Sequence, residues 1–173
     1  MKVLKTAALT GLVIAAVVVL ALEPASGAST DKNVASCADN VLIGHGTANW
    51  RRESNFAGPV GVRRWPLRDM SAMPDGDLVT KAGILVEGAS PVTVKVPAAL
   101  GERVFLYYGR DPGHRAISFA GSDGFAEVEF RPCEDRPRTI WPGGIRVRGR
   151  GSVHLIVEAG GRSTVLPLGR PRG

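Results

Sequence analysis

The sequence predicts an all-β domain, an antiparallel β-sandwich of about eight or nine short strands. Three observations carry that expectation. Apolar residues recur with period two over strand-length runs, 22 Gly and 12 Pro are spread along the whole chain, and beyond the first 28 residues no long stretch has helical periodicity. A small β-barrel is the alternative, because period-two patterns do not distinguish stacked sheets from a closed one. The length of 173 residues suits a single domain with a core of its own.

Residues 1–28 have the layout of a signal peptide: Lys2 and Lys5, an apolar run from Ala7 to Leu22, then the small residues Ala25-Ser26-Gly27-Ala28. The run falls short of the roughly 20 apolar residues that span a bilayer. Cleavage is therefore expected, with retention as an uncleaved N-terminal anchor as the alternative. Both routes deliver the remainder to a secreted or extracytoplasmic, oxidising location. Cys37 and Cys133, the two cysteines, are expected to pair there. Closing a loop of 96 positions stabilises by roughly 4 to 5 kcal/mol in the chain-entropy account. No C-x-x-C spacing or neighbouring base suggests a reactive thiol.

Residues 29–57 form an N-terminal arm with a first short strand at Val41-Leu42-Ile43, residues 58–169 the β-sandwich, and residues 170–173 a tail. Val60 and Val62 suggest an edge strand after Gly58-Pro59, and Leu78 to Glu87 a β-branched strand. Val92 to Val96 alternates strictly, with Thr93 and Lys95 outward and Pro91 and Pro97 as fences. Arg103 to Tyr108, Arg115 to Phe119 and Phe125 to Arg131 follow, separated by the turn chemistry of Asp111-Pro112-Gly113 and Gly121-Ser122-Asp123-Gly124. In the last of these Ala126, Val128 and Phe130 are expected to face in. After Pro142-Gly143-Gly144, Ile145 and Val147 mark another strand. Val153 to Glu158 and Ser163 to Leu168 flank Gly160-Gly161 as a hairpin.

Gly58-Pro59-Val60, Val92-Thr93-Val94-Lys95-Val96-Pro97, Leu106-Tyr107-Tyr108, Val128-Glu129-Phe130-Arg131-Pro132-Cys133, and Thr139 followed by Gly143-Gly144 resemble, in order and spacing, a family of small exported actinobacterial proteins of unassigned function. The resemblance runs roughly from Asn55 to Gly169 and implies a secreted or surface-held β domain. Family members carry two further cysteines, where this chain has Ser152 and a cysteine-free C-terminus. The resemblance lends no catalytic residue.

His45, His114 and His154 lie in separate segments without metal-ligand spacing, and His154 alternates with inward Val153 and Leu155. Asp75 and Asp77 about Gly76, with Asp69 nearby, fit a plain turn better than a calcium loop. Gly44-His45-Gly46 lacks the third glycine and following helix of a phosphate cradle. No cofactor or metal is expected, and the sequence leans away from an enzyme.

Charge is the more informative feature. The formal net charge is +6, and from Arg131 onward nine arginines face Glu134, Asp135 and Glu158 alone. Arg146 and Arg148 lie two apart on one strand, Arg150 extends the row, and Arg136 and Arg138 flank its entrance. Such a face suits anionic cell-wall polymer or a membrane surface, because each guanidinium donates a pair of hydrogen bonds to one anionic group. A solvated strand face is the plain reading. Nucleic acid is not expected for an exported chain without interleaved aromatics. A second candidate contact surface joins Trp50-Arg51-Arg52 to Arg63-Arg64-Trp65, with core filling by the tryptophans as the competing expectation. The predicted function is a non-enzymatic binding or structural domain at the cell envelope. The alternatives are an envelope hydrolase using His45, His114 or the Asp69–Asp77 loop, and a carbohydrate-binding module stacking sugars on exposed Trp50 and Trp65.

Overall fold

A computed structural model describes residues 33–39, 49–64, 71–73, 75–109 and 124–168. In chain order these form β1 (Asn33–Ala35), the single turn α1 (Trp50–Glu53), β2 (Ser54–Ala57), β3 (Val60–Arg63), β4 (Ser71–Ala72), β5 (Leu78–Lys81), β6 (Ile84–Glu87) and β7 (Val92–Lys95). A 3-10 turn at Ala98–Leu100 precedes β8 (Val104–Tyr107), β9 (Glu127–Phe130), β10 (Arg138–Trp141), β11 (Gly144–Val147), β12 (Val153–Ala159) and β13 (Arg162–Leu168). The fold is all-β and sandwich-like, and the described strands close no barrel. Its three sheets have the orders β1-β9-β7-β12-β13, β10-β6-β3-β2 and β4-β5-β11-β8.

One core serves all three sheets. Val94, Val128, Phe130 and Leu155 enter it from the first, Val60, Ile84, Val86 and Trp141 from the second, and Leu106, Ile145 and Val147 from the third. In β7 and β9 the expected alternation holds: Val92, Val94, Val128 and Phe130 are buried, while Thr93, Lys95, Glu127 and Glu129 are half-buried on the wet face. Lys95 bridges Glu127 and Glu158 there, at 3.4 and 2.8 Å. Ala126 is half-buried. The β12–β13 hairpin turns through Gly160 and Gly161 at φ of 55° and 73°, the left-handed values that a two-residue turn requires.

Several elements differ from expectation. The segment from Leu78 to Glu87 bends at Ala82-Gly83 into β5 and β6, which belong to different sheets. Its partner bends with it. Glu87 lies opposite Arg138 and Ile84 opposite Trp141, then Lys81 opposite Gly144 and Leu78 opposite Val147, so one register runs through the corner. The Ala82 N–H donates to the Gly143 carbonyl at 2.9 Å inside the bend. Val60 and Val62 lie on an interior strand rather than an edge, because β2 pairs with β3 on its other side. That hairpin also straddles the expected arm boundary at residue 57, so Ser54 to Ala57 belong to the sandwich. The expected strands at residues 41–43 and 115–119 lie outside the described residues.

The arm docks through three kinds of contact. β1 pairs in parallel with β9, Asn33 opposite Val128. Cys37 and Cys133 form a disulfide across a Cα separation of 5.0 Å. Trp141 Nε1–H donates to the Ser36 carbonyl at 2.9 Å, and the Asn33 amide donates to the Tyr108 carbonyl. On the other side of the bridge, the Cys133 N–H donates to Thr139 Oγ1 at 3.0 Å.

Tyr108, Phe130 and Trp141 stack edge to face in a chain, with ring centroids 5.4 and 5.1 Å apart. The Tyr108 hydroxyl donates to the Ala82 carbonyl at 2.8 Å, which ties this stack to the corner. Gly143 is required on the opposite side, because a Cβ there would overlap the Tyr108 ring and stand 2.5 Å from the Tyr107 carbonyl oxygen. Gly143→Ala should therefore lower stability by about 1–3 kcal/mol in urea denaturation, the cost of overpacking.

Burial pushes the Tyr108 hydroxyl well above the usual tyrosine value of 10.0. The unfolded chain ionises near that ordinary value and the folded chain does not. The corresponding stability is thus complete below about pH 10 and is lost as pH rises beyond it. Tyr108→Phe should cost about 1 kcal/mol at neutral pH and weaken the alkaline decline, measured by denaturation at about pH 8 and pH 11.

Candidate anion-binding surface

The outer face of the β10-β6-β3-β2 sheet carries its own small apolar layer. Ile140, Leu85, Gly61 and Phe56 lie in one row across the four strands by register. Gly61 leaves room for the Phe56 ring, since a Cβ there would sit 2.6 Å from it. Trp50, delivered by α1, is buried against Leu85 and Ile140, with Gly83 close beneath it.

Arginines cover this layer. The Arg51 guanidinium lies 5.0 Å from the Phe56 ring centre and that of Arg63 lies 5.4 Å from the Trp50 ring, both within cation–π range. Glu87, at the end of β6, accepts from Arg51 and lies 3.4 Å from Arg138 of β10. Arg63 also faces Glu53 at 3.5 Å. Arg52 is exposed and has no carboxylate partner among the described residues. Arg51, Arg63 and Arg138 thus share one exposed surface with Glu53 and Glu87, with more cations than carboxylates, and Arg52 leaves the same helical turn as Arg51.

Of the expected second surface, Trp50 is buried rather than presented to solvent, so the aromatic platform for sugars does not form with it. Arg64 folds back, its Nε donating at 3.0 Å to both the Ser54 carbonyl and Asn55 Oδ1. Trp65 lies outside the described residues.

The C-terminal arginine row is not the continuous exposed face that its spacing suggests. Arg146 occupies β11 between Val79 of β5 and Phe105 of β8, and is buried. The turn preceding β5 folds over it. Gly76 takes φ of 84°, the Asp77 N–H donates to Asp75 Oδ1 at 3.1 Å, and the two carboxylates receive Arg146 at 2.5 Å (Nη2 to Asp75) and 2.6 Å (Nε to Asp77). Burial works against the Arg146 charge, but hydrogen bonds with Asp77 and Tyr107 outweigh it and hold the guanidinium above its ordinary value. Arg148 lies 3.4 Å from Asp77 and stacks 4.6 Å from the centre of the Phe105 ring. Arg136 lies 3.7 Å from Asp135. Arg150 is exposed, its carbonyl accepting from Arg103 at 2.8 Å. Of the five, Arg138 joins the surface around Glu87.

Asp75 and Asp77 therefore clamp a cation supplied by the chain itself. His154 is half-buried between inward Val153 and Leu155, as its position predicts. His45, His114, Asp69 and Gly44-His45-Gly46 lie outside the described residues. No group of three or more His, Cys, Asp or Glu gathers among the described residues. No helix among them is long and apolar enough to cross a membrane. Glu87, which joins the two arginine groups, carries no local sequence signal. Only the register of β6 against β10 reveals it. No protein-family model matches the chain, and no curated protein or solved structure shows significant similarity to it.

Arg146→Ala should cost about 1–3 kcal/mol in urea denaturation, because it leaves the nearly buried Asp77 carboxylate with the longer 3.4 Å contact to Arg148. Arg150→Ala should change stability by less than about 0.5 kcal/mol in the same measurement.

Proposed function

We propose that the protein is an exported, non-enzymatic binding domain of the cell envelope that contacts anionic polymer or anionic lipid through Arg51, Arg52, Arg63 and Arg138. One observation carries this reading: arginines from two distant parts of the sequence meet around Glu87 and outnumber the carboxylates beside them. The aromatic layer beneath positions the guanidinium groups of Arg51 and Arg63, and Arg51 also donates to Glu87. The disulfide is compatible with an extracytoplasmic site of action, and the leader-like residues 1–28 supply the route there. Kinship with small exported actinobacterial proteins is part of the same proposal. Envelope hydrolysis has less support, since Asp75 and Asp77 are engaged by Arg146.

The protein should co-sediment with anionic wall polymer or anionic liposomes at low salt and be released as salt rises. Arg51→Ala with Arg138→Ala should weaken binding about fivefold or more. Glu87→Gln should strengthen it, because it frees both arginines from their internal carboxylate. Absence of co-sedimentation at low salt overturns the proposal.

A further inference from the structure

We propose that β13 is a dimerisation edge, on which a second copy of this chain adds its own β13 antiparallel across a two-fold axis at Thr164. Among the described residues β13 ends the five-stranded sheet, with β12 on one side only. Its first four residues, Arg162 to Val165, are all exposed, and Val165, at 55% exposure, stands alone among the described residues as an exposed large hydrophobic. The remaining end is covered by β2, where Asn55 Nδ2 donates to the Pro167 carbonyl at 2.8 Å.

The turn fixes which backbone groups are free. A two-residue loop makes Ala159 and Arg162 a hydrogen-bonded pair, and strict alternation then assigns Thr164, Leu166 and Leu168 to β12 as well. Ser163, Val165 and Pro167 consequently turn their N–H and C=O groups away from β12. The Asn55 contact on the Pro167 carbonyl agrees with this assignment, and so does proline at a position that needs no donor toward β12.

The free groups match themselves. With Thr164 opposite Thr164 of the second copy, each Ser163 faces a Val165, and four hydrogen bonds satisfy both donors and both acceptors on each edge. Shifting the axis to Val165 would set Ser163 against Pro167, which has no N–H and whose carbonyl is already bound to Asn55. Shifting it to Ser163 would set Val165 against Gly161, which the turn holds at φ of 73°. The Thr164 register also brings the two Val165 side chains together diagonally beside Ile156, their cross-strand neighbour, and places a Thr–Thr pair on the axis. A foreign strand would find only these two free positions, bounded by the Gly160-Gly161 turn and Pro167, so the self-match favours a second copy. Such a short edge buries less than a standard interface of roughly 1,600 Å², so the dimer forms at high local concentration.

Sedimentation of the purified protein should show its mass rising toward a dimer between micromolar and millimolar concentration. Thr164→Lys, which sets two like charges on the axis, should raise the dimer dissociation constant about tenfold or more. Under oxidising conditions Thr164→Cys should give a covalent dimer on non-reducing gels far faster than Ser163→Cys, whose introduced thiols lie opposite Val165. Unchanged near-ultraviolet circular dichroism and an intact Cys37–Cys133 bridge report that each variant is folded. A monomer at all concentrations, a dimer indifferent to Thr164→Lys, or equal crosslinking of the two cysteine variants overturns the proposal.

Discussion

The fold depends on one bent ribbon. Residues 78–87 and 138–147 pair in a single register from end to end, yet their halves belong to different sheets. Pairing of this kind satisfies backbone groups through a corner that would otherwise leave them buried and unpartnered. The corner is tight, so its side-chain options are few. Gly143 has no room for a Cβ, and Tyr108 fills the inside of the bend with its hydroxyl on the Ala82 carbonyl. Around that point the three sheets share one core, and the Tyr108–Phe130–Trp141 stack carries it out to the segment where Cys133 anchors the arm.

Local chemistry made much of the β architecture legible in the sequence. Alternation marked β7, β9 and β12, and Gly160-Gly161 marked the last hairpin, because period and turn residues act over a few positions. The cysteine pair followed from there being two. Harder to see were elements that exist only through distant partners. Asn33–Ala35 sits in a polar, mixed segment and becomes a strand by lying parallel to β9. Arg138–Trp141 follows a Cys-Glu-Asp-Arg-Pro loop and becomes one opposite β6. The break at Ala82-Gly83 was hidden for the opposite reason, since an apolar, β-branched run shows no interruption when its register continues through the bend.

The candidate site shows how charge counts mislead. The arginine surplus of the last 43 residues is real, but spacing along a strand says only which side chains share a face, not what covers that face. A turn some seventy residues away brings Asp75 and Asp77 over Arg146 and converts it into an internal counter-ion. Conversely, Arg51 and Arg138 are far apart in sequence and meet at one carboxylate. Their exposed surface owes its shape to apolar residues: Phe56 and Trp50 raise a second layer outside the sheet, and the guanidinium groups lie upon it.

The arm's attachment also has a mechanical meaning. A pull on the chain upstream of Asn33 would load the β1–β9 hydrogen bonds in shear, along the strand axis, and would then reach Cys37 two residues beyond β1. From there tension passes through a covalent bond to Cys133 and bypasses the 96-position loop between them. Force entering at the N-terminal side would therefore leave β2 to β8 off the load path, and with them most of the surface around Glu87. A domain tethered at that end could be dragged without being unravelled.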